Sequence, residues 1–193
     1  MPPKAKITKD DVLKVSFELT KEKGFENLNA RNIAEKLGCS TQPIFRIYSN
    51  MAELKKELFE YINQYFGQYI MDYPQSKEPF LCMGLAYIDF AKNERNLFKM
   101  LCLSDNLDMN SFSELVNQNE HGIILKDISN PENISADKIQ TLFMNIWLFT
   151  HGVATMISTN SLDIPKEEIE LLLQNAFKAF STLVQTRKED AND

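Results

Sequence analysis

From Ala30 to Ser49 the chain sets a small residue, a glycine, a hydroxyl and four apolar side chains at the intervals of a helix-turn-helix. The chemistry such a unit performs is recognition of duplex DNA by side chains carried on its second helix. Ala34 stands where two helices crossing near a right angle come closest, and only a small side chain permits that approach. Gly38, four residues on, enters the left-handed conformation that ends a helix without a Cβ penalty, and Cys39 continues the tight turn. Ser40 is expected to cap the next helix through its hydroxyl, with Pro43 in the first turn, where a missing N–H costs little. Ile33, Leu37, Ile44 and Ile47 take the inward positions. The combination predicts DNA binding.

No other chemistry has a comparable signal. His121 and His151 stand apart, no Ser-His-Asp or Cys-His set is visible, and no glycine-rich phosphate loop occurs, so an enzyme is not expected. The three cysteines, Cys39, Cys82 and Cys102, are an odd number without C-x-x-C spacing. They predict neither disulfides nor a zinc site, and no metal or cofactor is expected.

With 193 residues, 44% of them hydrophobic, the chain can bury a sizeable core. No stretch approaches the roughly 18 apolar residues of a membrane span, and Met1-Pro2-Pro3-Lys4-Ala5-Lys6 lacks the apolar core of a signal peptide. A cytoplasmic protein with no membrane partner is the expectation. The net charge of -6 runs against DNA binding, but its distribution does not. Residues 1–50 carry nine Lys and Arg against six Asp and Glu, a net of +3, which leaves -9 for the remainder. A mildly basic head on an acidic body would be turned toward DNA by its own field, although the acidic surplus also serves solubility.

Apolar spacing is helical nearly throughout, which predicts an all-α fold. A first helix is expected over about Lys9 to Lys23, capped by Thr8, stopped at Gly24 and packed across the helix-turn-helix as a three-helix head. A fourth, about Ala52 to Asp72, places Leu54, Leu58, Ile62, Tyr65 and Tyr69 on one face until Pro74. Further helices are expected over roughly Phe80 to Lys92, Arg95 to Leu103, Ser111 to Ile128, Ser135 to Thr159, and beyond Pro165. The last two carry wide apolar stripes suited to pairing with a symmetry mate. Residues 1–50 are expected to form the DNA-binding domain and 51–193 a ligand-binding and dimerisation domain.

The run Asn29-Ala30-Arg31-Asn32-Ile33-Ala34, leading to Gly38-Cys39-Ser40 and Ile44-Phe45-Arg46-Ile47-Tyr48, resembles the TetR family of bacterial transcriptional regulators. Trp147-Leu148-Phe149-Thr150-His151-Gly152-Val153-Ala154 is similar to a segment on the eighth helix of many members. The resemblance implies a nine-helix fold, a head boundary as far as about residue 66, and a homodimer formed by the last two helices. It implies a third helix that reads the major groove through Thr41, Gln42, Pro43 and Arg46, with Arg31 contributing from the second. Ser40, Phe45, Tyr48 and Lys55 complete the expected DNA-binding set. Phe45, Ile47 and Met51 depart from the tyrosine, histidine and lysine common in the family, which lowers the expected phosphate affinity. Lys55, Lys56 and the arm Lys4, Lys6 and Lys9 could compensate.

The implied function is a ligand-responsive repressor of a palindromic operator, released by a small lipophilic effector. Tyr65, Tyr69, Met83, Tyr87, Phe90, Phe98, Phe143, Trp147 and His151 are the candidates to line its pocket, chosen for aromatic or flexible bulk. The alternative is a helical interaction or ligand-binding protein that has lost specific DNA binding.

Overall fold

In the computed structural model, which describes residues 7–74, 78–103, 125–128 and 134–186, helix α1 (Lys9–Lys23) opens on a reciprocal cap. The Thr8 hydroxyl accepts from the Asp11 amide, while the Asp11 carboxylate accepts from the Thr8 amide at 2.9 Å. Two of the exposed amide donors of the first turn are thereby satisfied. Gly24, at φ 86°, ends the helix, and a single 3-10 turn (Phe25–Asn27) leads into α2 (Ala30–Lys36). Asn29 caps α2 by accepting from the amides of Arg31 and Asn32.

Gly38, at φ +64°, carries the turn between α2 and α3 (Gln42–Ile47). Its amide donates to the Glu35 carbonyl and the Cys39 amide to that of Ala34, the pair of bonds that closes a Schellman motif. A Cβ added at Gly38 would meet nothing within 4 Å, so a substitution there costs backbone strain alone. Gly38→Ala is expected to lower stability by about 1 to 2 kcal/mol, seen as an earlier denaturant midpoint with an unchanged slope. An unmoved midpoint would show that the turn does not need the left-handed residue.

One local expectation is corrected here. Ser40 does not cap α3: Thr41 occupies the N-cap position, already helical at φ -71° and ψ -15°, and no side chain makes a capping bond. The missing N–H of Pro43 removes one donor that a cap would otherwise serve.

Beyond α3 the Asn50 side chain accepts from the Glu53 amide, and Glu53 in turn accepts from Ser49, fixing the start of α4 (Met51–Asp72). Helices α5 (Pro79–Asn93), α6 (Arg95–Cys102), α7 (Ala136–Ser158) and α8 (Lys166–Thr186) follow. Among the described residues the chain therefore forms these eight α-helices, a short helical stretch at 125–127, one 3-10 turn and no strand, an all-α fold. The helix expected over Ser111 to Ile128 lies outside the described residues except for 125–128.

The chain divides into two compact units. One comprises the described parts of residues 1–68 and 94–107, and the other those of 69–93 and 108–193. In the first, α1 packs against α2, the 3-10 turn and α6. Val12, Leu19, Ile33, Ile44, Leu54, Leu58 and Ile62 are buried there. Lys21 joins α1 to α6 by an ion pair with the largely buried Glu94 at 2.5 Å, and Tyr65 of α4 donates to the same carboxylate at 3.1 Å. Burial of the Lys21 ammonium opposes its charge, but Glu94 outweighs that cost and holds Lys21 above the ordinary lysine value. A linear boundary at residue 50 leaves α6 out of this unit, because the bonds that attach it are made at a distance in sequence.

In the second unit α5, α7 and α8 pack on one another. Phe80, Leu142, Phe143, Ile146 and Val184 form its core, with Met83, Trp147, Phe177 and Phe180 against them. Phe80 and Phe177 stack with centroids 4.7 Å apart. At Gly84 an added Cβ would come within 3.1 Å of Leu173, so the glycine permits the close approach of α5 and α8. No helix of the described residues is long and apolar enough to cross a membrane.

Candidate nucleic-acid interface

The helical period alone sorts the side chains of α3. At about 100° per residue, Ile44, Ile47 and Tyr48 share one side, Gln42 and Arg46 the opposite one, and Thr41 and Phe45 a flank between them. Burial agrees with this sorting. Ile44 is 0% exposed, whereas Gln42 and Arg46 are exposed and Phe45 is 48% exposed.

Phe45 and Thr41 face the start of α2, where they line a shallow, open depression with Asn29, Ala30, Arg31 and Asn32. Of the residues expected to contact DNA, the structure thus brings together Arg31, Thr41 and Phe45, and places Gln42 and Arg46 on the adjoining outward face. Ser40 is exposed in the turn, and Pro43 is half-buried. Asn29 and Asn32 are additional lining residues that sequence reasoning passes over. The available signal is the capping preference of asparagine immediately before an apolar-periodic run.

Two expected contacts are placed elsewhere. Tyr48 is 1% exposed, so its ring is part of the interior and not of the outward face. It is the C-cap of α3, extended at φ -118° and ψ 128°, and its ring lies beneath the Lys9 ammonium. Burial, reinforced by the nearby Glu57 carboxylate, pushes its phenol well above the usual tyrosine value. Lys55 lies over the Phe25 ring at 4.6 Å, outside the depression. Lys9 of the basic arm is paired with Glu57 at 2.8 Å, while Lys4 and Lys6 lie outside the described residues.

The candidates for an effector pocket separate into two groups. Tyr65 and Phe98 belong to the first unit, Phe98 fully buried and Tyr65 bonded to Glu94. The others belong to the second unit, where Phe90 and Phe143 are buried and Met83 packs on the core. Tyr69 donates to Asp89 at 2.6 Å and packs edge-on against Phe90.

Tyr87 and Trp147 both meet His151. The Tyr87 hydroxyl is 2.9 Å from His151 Nδ1, and the Trp147 and His151 rings stack at 4.8 Å and 10°. Among the described residues no cluster of three His, Cys, Asp or Glu side chains could hold a metal.

Burial holds His151 below its ordinary value of 6.5, so the ring is neutral at pH 7. Below about pH 6.5 the unfolded chain takes up a proton that the folded chain resists, and stability must fall as pH drops through that value toward the depressed one. Thermal melting followed by Trp147 fluorescence is expected to show this loss between pH 7 and 5. His151→Gln should flatten it. An equal pH slope in both proteins would assign the loss to other groups.

No protein-family model matches the chain, and no curated protein matches it.

Proposed function

We propose that this chain is a DNA-binding transcriptional regulator of the kind found in the TetR family, acting as a homodimer released from its operator by a small effector. One observation carries the reading. A helix–turn–helix buries Ile33, Ala34 and Ile44 while turning Gln42, Phe45 and Arg46 outward on α3 and Arg31 outward on α2. Arg46 is suited to a guanine edge, Gln42 to adenine, and Arg31 to phosphate. The test is selection from random duplexes with the full chain. A roughly palindromic site is expected, with half-sites about one helical turn or a multiple apart. Recovery of no preferred sequence would reject the regulator in favour of a helical interaction protein.

Exposed apolar side chains on the last two helices support the dimer. Leu148 and Met156 of α7 and Leu171 and Leu183 of α8 are solvent-facing, Leu171 and Leu183 at 55% and 57%. Leu183→Glu is therefore expected to halve the mass measured by sedimentation at micromolar concentration without unfolding the chain, since a desolvated charge opposes association more than the fold. An unchanged mass would remove α8 from the interface.

The effector reading rests on the aromatic and methionine side chains of α5 and α7, with Tyr87 and His151 as the polar groups that would orient a lipophilic ligand. Binding that differs between two positions of α4 by about 1 to 3 kcal/mol would weaken operator affinity roughly 5- to 150-fold, enough to relieve repression.

A further inference from the structure

We infer that Phe45 reads the 5-methyl group of a thymine on the base edge beside one strand of the major groove, which makes it a specificity-determining residue rather than a phosphate contact. The inference rests on the regulator reading above and adds the base that each half-site must contain. Among the described residues of α2 and α3, Phe45 is the one large hydrophobic side chain left exposed. Its ring has neither donor nor acceptor, so it cannot bond a phosphate oxygen.

The apolar group that the major groove presents is the thymine methyl. Phe45 is also aimed suitably for it. Around the helix axis Phe45 lies about 80° to one side of the Gln42–Arg46 direction, so with those two residues over the base pairs it would meet the base edges beside one strand, where the C5-methyl of a thymine on that strand lies. Its other side forms one wall of the depression lined by Asn29, Ala30, Arg31, Asn32 and Thr41, so about half of the ring is already covered before DNA arrives.

Charge and isolation favour DNA over a protein as the occupant. A protein-docking surface needs contiguous apolar area, whereas the exposed residues around Phe45 are Asn29 and Arg31, which line the depression with it, and Gln42 and Arg46 of its own helix. Two arginines flanking one apolar ring match a polyanion that carries isolated methyl groups.

The experiment takes the duplex recovered by selection and replaces each thymine in turn by deoxyuridine, which removes only the methyl. One thymine per half-site is expected to weaken wild-type binding about fourfold on replacement, the equivalent of ~0.8 kcal/mol for one buried methyl-sized group. Phe45→Ala should bind the thymine duplex correspondingly less well and be indifferent to the replacement. Circular dichroism checks that the variant folds, and the wild-type scan needs no variant. A flat wild-type scan overturns the inference while leaving the regulator intact, as does a Phe45→Ala protein that keeps the methyl dependence. Selection that enriches no duplex overturns both.

Discussion

Replacing Ile44 with alanine is expected to remove about 2 to 5 kcal/mol from the first unit and with it most operator binding. The side chain is 0% exposed and lies on the inward side of α3, in the unit whose interior holds Ile33, Leu54 and Leu58. Truncation loses the transfer free energy of three carbons and leaves a cavity that a six-residue helix is poorly placed to fill. Burial of this one face holds α3 in place, because so short a helix is unstable by itself in water. Hydrogen exchange at the amides of α1, α2 and α3 measures the loss directly. Wild-type protection in the variant would show that Ile44 does not anchor the helix.

The second large effect is on recognition. Arg46→Ala is expected to cost ~1 to 3 kcal/mol on the selected operator, relaxing the preference at one base-pair position in each half-site. Arg46 is exposed and four residues from Gln42, so the two present neighbouring groups on the outward face of α3. Lysine should restore little, since it lacks the planar fork that meets both acceptors of guanine. Titration against operator and random duplex in parallel decides the role. A loss confined to the operator means base readout, whereas equal losses on both mean that the guanidinium only neutralises phosphate.

Together with Phe45, these residues define three tasks on one short helix. Ile44 fixes its position, and on the proposed reading Arg46 and Gln42 would bond base edges while Phe45 would meet a thymine methyl beside them. Each task has a different signature under mutation: stability, hydrogen-bonded base preference, and methyl dependence.

Much of the fold is legible in the sequence because its determinants are local. Thr8 and Asp11 bracket the start of α1 at capping-box spacing, and Gly24 and Gly38, both at positive φ, mark helix ends through backbone freedom. Helical periodicity identifies Leu54, Leu58 and Ile62 as the buried face of α4 before any tertiary contact is known. The outward set Gln42, Phe45 and Arg46 is similarly a consequence of period and of which neighbours are apolar.

Tertiary structure alone decides what depends on partners distant in sequence. Ser40 and Thr41 are both reasonable caps by residue type, and only the backbone path of the turn chooses between them. Tyr48 falls on the inward side of α3 by period, but its hydroxyl suits an interface equally well by residue type, and only packing, with Lys9 lying over the ring from α1, buries it. Lys21 reaches Glu94 across 73 positions and draws α6 into the first unit, a pairing that neither residue announces. Tyr87 and His151, 64 positions apart, meet for the same reason. Propensity, capping and period act over one or two helical turns and are written in the chain. Burial, ion pairing and the side from which a ring is covered arise when separate helices pack, and a linear sequence records them only as apolar or charged residues awaiting a neighbour.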